Sequence, residues 1–229
     1  MLTLEQVKSK SSSRLSGLQP VVAAATITLI ERCFALGIPI LITQGLRTIA
    51  EQDALYAQGR TKPGAIVTNA KGGYSYHNFG LAIDFALLLP DGKSVSWDLK
   101  WDGNGNRQAD WLEVVDEAKR LGFGWGGDWT SSKDYPHFDM TFDLSTSQLR
   151  AGIKPSVSAV DRIYKLIKPK EEPAMSKEVK VIVNVNGKKV TDGVLDNGTT
   201  FTPARAVAEA LGATVTYDAV TKTVNITSK

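Results

Sequence analysis

Residues 168–174, Lys-Pro-Lys-Glu-Glu-Pro-Ala, set the first limit on what this chain can fold into. Two prolines and four charges in seven residues cannot join a packed core, so the stretch marks a linker with a folded part on either side. The length of 229 residues agrees with two modest domains, since a domain typically runs to about 100–150 residues. With 42% hydrophobic and 22% charged residues, enough apolar side chains remain for a real core.

Before the linker, helical and strand patterns alternate. Residues 15–36 read as a helix with Pro20 early and Gly37 as a stop signal, and 38–43, Ile-Pro-Ile-Leu-Ile-Thr, as a strand. A helix over 49–58, a loop rich in Gly, Lys and Pro up to Gly73, and an apolar strand over 81–89 follow. An amphipathic helix over 111–121 and a strand over 137–142 complete an α+β pattern with candidate active-site residues at strand ends. After the linker, 179–185 alternates up to Asn186-Gly187, which suits a type I′ hairpin turn because both central residues take positive φ. Thr202-Pro203 is expected as N-cap and N1 of a helix over 204–211, closed by Gly212. Strands over 214–217 and 223–227 finish a small ββαββ unit.

The net charge of +3 is unevenly spread: residues 1–150 hold 15 basic and 16 acidic side chains, and 151–229 hold 12 and 8. No nucleic-acid partner is expected from the near-neutral first part, while the basic tail suits an anionic polymer such as a cell wall. The apolar stretch 21–30 follows Pro20, ends at Glu31-Arg32 and lacks a small-residue cleavage site, so it is not a signal peptide. It is also shorter than the about 20 apolar residues that span a bilayer, so no membrane anchor is expected. Synthesis in the cytoplasm without a Sec-type route is the expectation. The single cysteine, Cys33, lies in an apolar run and reads as a small buried hydrophobe.

The chain has two histidines, one in Ser75-Tyr76-His77-Asn78-Phe79-Gly80-Leu81-Ala82-Ile83-Asp84 and one in Asp134-Tyr135-Pro136-His137. A catalytic zinc takes three N, O or S ligands and keeps a fourth position for water. His77 and Asp84 can meet at one ion if the loop bearing His77 folds back on the strand carrying Asp84, and His137 supplies the third ligand. Asp134 is then the expected base for a water whose pKa zinc lowers to about 7. Arg47, just after a predicted strand, is the candidate for stabilising an oxyanion.

These residues carry a family resemblance. The pattern Ser75-x-His77-x-x-Gly80-x-Ala82-x-Asp84 with Asp134-x-x-His137 resembles the zinc peptidases of the D-Ala-D-Ala peptidase, lysostaphin and hedgehog superfamily. The likeness within it is to L-alanyl-D-glutamate endopeptidases of phage endolysins and Bacillus wall hydrolases. Gly45-Leu46-Arg47-Thr48, Glu51-Gln52, 55–61 and Gly122-Phe123-Gly124-Trp125-Gly126-Gly127-Asp128-Trp129 are similar too. The resemblance implies a zinc-peptidase fold, with a central, mainly antiparallel sheet flanked by helices. It implies His77, Asp84 and His137 as zinc ligands, Asp134 as general base and Arg47 as the carbonyl-polarising arginine. Gln52 and Ser75 match positions that shape or bind the substrate, and Trp125 and Trp129 are candidate walls of a peptide groove. The implied activity is hydrolysis of the L-Ala-D-Glu bond of peptidoglycan stem peptides. Rival readings are a D-Ala-D-Ala carboxypeptidase on the same fold and a non-catalytic wall-binding protein.

Asp102, Asn104, Asn106, Asp110 and Glu113 occupy positions 1, 3, 5, 9 and 12 of a calcium loop, although Arg107 stands where that loop wants glycine, so the stretch reads either as a second metal site or as a polar turn with a helix N-terminus that welcomes Asp110 and Glu113. The tail resembles the small domain named after the N-terminal region of copper amine oxidases, which implies a wall-binding or self-associating module. Lys170-Glu171-Glu172 can be encoded AAG-GAG-GAG, a ribosome-binding sequence, ahead of Met175. A separately translated fragment from Met175 could therefore join the full chain and raise wall avidity. The expected organisation is a catalytic domain over 1–152, a linker over 153–177 and a binding or self-association domain over 178–229. The enzyme would be made in the host cytoplasm and act on the wall after release.

Overall fold

The computed structural model describes residues 2–167, 179–196, 199–218 and 223–228. The chain divides into two compact units, Met1–Lys168 and Pro169–Lys229. The stretch 168–178, which holds the prolines, Met175 and its preceding codons, lies outside the described residues.

In the first unit, a Thr3–Gln6 capping box opens helix α1 (Leu4–Leu15), whose buried face is only Val7 and Ser11. That polarity hides it from a hydrophobic pattern. Gly17, at φ 77°, then turns the chain, and α2 (Pro20–Ala35) starts with Pro20 at N1. The helix expected from residue 15 therefore begins later, because proline has no N–H to give a preceding turn and fits the first position. Helix α2 buries Val22, Ala25, Leu29, Ile30 and Cys33.

Strand β1 (Ile40–Gln44) runs antiparallel to β2 (Ala82–Leu88), which also pairs the short β3 (Val95–Ser96). On its other side β2 pairs β5 (His137–Asp139), and β5 pairs β4 (Gly124–Trp125), giving the order β1-β2-β5-β4, antiparallel throughout. The register sets Ile83 against Phe138 and Asp84 against His137. Side chains alternate across a strand, so one face carries Ile83, Phe85 and Phe138 and the other Asp84, His137 and Asp139. On the apolar face the Phe85 ring stacks on Phe138 at 4.9 Å and leans on Trp111 of α4 (Asp110–Arg120) at 4.4 Å. Each such fully buried side chain contributes about 1.5–3 kcal/mol. Helix α3 (Ile49–Ala57) leaves β1 through a Thr48–Glu51 capping box, and α5 (Thr146–Arg150) follows β5.

Helix α6 (Val157–Ile167) corrects the expected linker, whose first part is folded. Ile163 is buried in the core, and Arg32 Nη2 donates to Leu166 O at 2.9 Å, satisfying a carbonyl at the helix end.

In the second unit, β6 (Val179–Val185) and β7 (Lys188–Asp196) form a hairpin with positive φ at Asn186 (51°) and Gly187 (79°), as a type I′ turn requires. A further strand, β8 (Thr199–Phe201), pairs with β7 ahead of α7 (Ala204–Ala210), and β9 (Thr214–Asp218) pairs with β10 (Thr223–Thr227). The unit is thus βββαββ. Pro203 takes the cap position, its carbonyl accepting from Val207 N, and Thr202 Oγ1 is buried without a hydrogen-bond partner among the described residues. Thr202 is therefore not the cap.

Candidate active site

His77 stands in a single 3-10 turn, Tyr76–Phe79, which begins with Ser75 Oγ accepting from His77 N at 3.4 Å. Gly80 ends the turn at φ 66°, and a Cβ there would lie 2.6 Å from Gly17 O, so only glycine fits. The chain then enters β2 and brings Asp84 opposite His137.

His77 Nε2 lies 3.1 Å from His137 Nδ1 and 3.2 Å from Asp84 Oδ1, and His137 Nδ1 lies 3.2 Å from the same Asp84 oxygen. Both imidazoles are buried, and among the described residues this is the one His/Cys/Asp/Glu group that converges on a metal-sized point. The outer ring nitrogens are engaged. His77 Nδ1 meets Gly45 O at 2.8 Å, and His137 Nε2 meets Asp139 Oδ2 at 3.4 Å. A carbonyl oxygen only accepts, so the His77 proton sits on Nδ1 and the Nε2 lone pair faces the centre. Two nitrogen donors and one carboxylate oxygen with supported outer nitrogens fit a divalent metal with an open coordination position.

Burial opposes the Asp84 carboxylate, but the hydrogen bond from the His137 ring outweighs it and holds its pKa well below the usual range. Burial likewise opposes the His137 imidazolium, yet Asp139 and Asp84 hold its pKa up, at about 9. Without metal, the centre is an imidazolium between carboxylates.

Asp134 lies in the turn before β5, where its N–H donates to Gly126 O at 3.1 Å and its carbonyl accepts from His137 N at 3.2 Å. Partial burial and the Asp84 charge raise its carboxyl pKa, against the pull of His137, His77 and Arg47. Arg47 is strapped to the 3-10 turn of His77: its N–H donates to His77 O, and its carbonyl accepts from Asn78 Nδ2 at 2.8 Å. Its Nη2 lies 3.5 Å from Asp84 Oδ2, and its Nη1 donates to Gln52 Oε1 at 2.8 Å.

Gln52 is 0% exposed, and its Nε2 donates to Ala70 O at 2.7 Å and Thr68 Oγ1 at 3.3 Å. Every polar group on it is committed inward. The expected substrate contact is therefore corrected to support of Arg47 and of the loop over 68–70. Half-buried Ser75 caps the His77 turn. Trp129 is 41% exposed with its ring 5.2 Å from that of His137, at the rim of the centre. Trp125 is braced instead, Nε1 donating to Tyr135 O at 2.7 Å. Asn78 and Asp139 lie outside the sequence motif's expected roles. The HNFG run and the His-x-Asp spacing are the only signals for them.

The expected calcium loop is a polar turn closed on itself. Asp102 Oδ1 accepts from Gly105 N and Asn106 N, and its Oδ2 from Arg107 N, at 2.8–3.1 Å. Asn104 and Asn106 oxygens accept from Asn106 N and Gln108 N, and Glu113 binds the amides of both asparagines. Asp110 Oδ2 accepts from Gly103 N, and burial raises its carboxyl pKa. The carboxylates of Asp102, Asp110 and Glu113 do not converge as the histidine centre does. This arrangement does not support calcium.

The sequence model of a D-alanyl-D-alanine carboxypeptidase family matches residues 68–140, and that of the copper amine oxidase N-terminal domain matches 184–229. The chain is 32% identical over 134 residues to the L-alanyl-D-glutamate peptidase of Listeria phage A118, covering 58% of this chain and 42% of that protein. Among solved structures, the Serratia marcescens L-Ala D-Glu endopeptidase ChiX aligns with a TM-score of 0.43 and 23% identity, over 59% of this chain and 89% of that one. The peptidoglycan L-alanyl-D-glutamate endopeptidase CwlK of Bacillus subtilis is 57% identical over 125 residues, which is 55% of this chain and 74% of that protein. With that identity over that share of CwlK, and with the His-Asp-His centre in place, the chain belongs to the family of CwlK, a peptidase family.

Proposed function

We propose that the chain is a zinc-dependent peptidoglycan endopeptidase that cleaves the L-Ala-D-Glu bond of stem peptides. The observation that carries this is the meeting of His77 Nε2, His137 Nδ1 and Asp84 Oδ1 within 3.1–3.2 Å of one another. These three would hold zinc, which when bound lowers the pKa of a water and polarises a carbonyl. Asp134 has a carboxylate that no hydrogen bond claims among the described residues, and its raised pKa suits a group that takes a proton from the attacking water. It then returns that proton to the amine of the departing D-Glu. Arg47, its guanidinium held by Gln52, offers N–H groups to the oxyanion that forms at the L-Ala carbonyl. Trp129 walls one side of the peptide's path past His137.

The test pairs activity with metal content. Asp134→Ala should retain zinc and lose roughly 10²- to 10⁴-fold in clearing of wall suspensions. Clearing at the wild-type rate would remove Asp134 from the mechanism. The family model named for D-alanyl-D-alanine carboxypeptidases motivates the rival bond, which would yield free D-Ala.

In this reading residues 1–152 hold the catalytic machinery, with α6 packed on it, and 178–229 form a wall-binding or self-association module. A fragment started at Met175 would supply extra copies of that module. No helix among the described residues is long and apolar enough to cross a membrane. Synthesis in the host cytoplasm followed by release onto the wall, as for a phage endolysin, fits this function.

A further inference from the structure

Three ligands and a base leave one carboxylate of the centre without a task. Asp139 lies two residues beyond His137 on β5, so both side chains stand on the same face of the strand. Its Oδ2 is 3.4 Å from His137 Nε2, and only 12% of its side chain is exposed. Its other oxygen rests in a notch left by Gly124, the residue paired with it across the sheet, where an added Cβ would come within 2.9 Å of Oδ1. The carboxylate is thus seated by the sheet.

The two nitrogens of His137 face different tasks. Nδ1 points to the atoms of Asp84 and His77, and a proton there would block a metal ion, whereas a proton on Nε2 leaves Nδ1 free to ligate. His77 has the corresponding choice made by a backbone carbonyl, Gly45 O, which no substitution at residue 45 removes. For His137 the choice falls to a side chain. We propose that Asp139 is a positioning residue of the metal centre: it accepts the Nε2–H of His137, fixes the ring orientation and keeps Nδ1 aimed at the point shared with His77 and Asp84. This rests on the reading of His77, Asp84 and His137 as zinc ligands. Outer carboxylates on metal-bound histidines act in this way, and their loss weakens metal binding by roughly 10- to 100-fold.

The experiment is a zinc affinity measurement by chelator competition on the full chain, for wild type, Asp139→Asn and Asp139→Ala. Visible spectra of the cobalt-loaded forms accompany it. Wild type should bind most tightly, Asp139→Ala should lose about 10- to 100-fold, and Asp139→Asn, whose amide oxygen still accepts but carries no charge, should fall between them. The cobalt bands of Asp139→Ala should shift, since the ligand field changes when the His137 ring is no longer held. A residue that only stabilised the strand would lower the melting temperature of the metal-free protein and leave affinity and spectrum alone. Affinities within about twofold of wild type with unchanged spectra would overturn the proposal. If Asp139→Ala does not fold, Asp139→Asn decides: weakened zinc binding supports the role, and wild-type binding ends it. A wild-type chain that takes up no zinc would instead refute the three-ligand reading, and the role of Asp139 with it.

Discussion

In the metal-free protein His137 is an imidazolium between Asp84 and Asp139, and a metal ion must expel that proton to bind. Its pKa of about 9 lies above the ordinary 6.5, so the proton stabilises the fold fully below about pH 6.5. That contribution, about 3 kcal/mol, is lost as pH rises through about 9. The melting temperature of chelator-stripped protein is therefore expected to fall between pH 6.5 and about 9, and a flat profile would contradict the charged pair. Gln52 makes a second test at this scale. Replacing it with alanine leaves Arg47 Nη1 and Ala70 O without their partner, at a cost of about 1–3 kcal/mol in stability. Turnover should fall with little change in KM, because Gln52 supports Arg47 and does not touch substrate. A rise in KM alone would instead make it a binding residue.

At the scale of elements, the run over 81–89 can be read as a strand from its composition, and the Ser-x-His…Asp spacing gives the ligand set by family likeness. The register that sets Asp84 against His137, and Asp139 against Gly124, is not written in either strand alone, because pairing depends on both. For the same reason Gln52 reads as a substrate residue on a helix until its depth and its partners are known. Helix α1 is hard to see because only Val7 and Ser11 are fully buried, with Leu4 and Leu15 packed half-buried against the core at its two ends. Helix α6 is the opposite case. Its apolar residues Val157, Val160, Ile163 and Ile167 follow helical spacing, and the prolines downstream draw attention away from them. Ile163→Ala is expected to cost roughly 2–4 kcal/mol, read as a lower urea midpoint at an unchanged slope. A change under about 0.5 kcal/mol would mean that α6 is an accessory to the core.

For the whole molecule, the two units are expected to divide the work between chemistry and attachment. Removing residues 169–229 should weaken binding to isolated walls while turnover of a soluble stem peptide stays at the level of the full chain. Equal loss of both would make the tail part of the catalytic unit. The bond that is cut remains the central claim, and it leaves a chemical signature. Mass spectrometry of peptidoglycan digested by the full chain, with and without a chelator, should show stem peptides with a new N-terminal D-Glu that vanish with chelator and return with zinc. Release of free D-Ala from intact stems, or the same D-Glu termini from chelator-stripped protein, would contradict it.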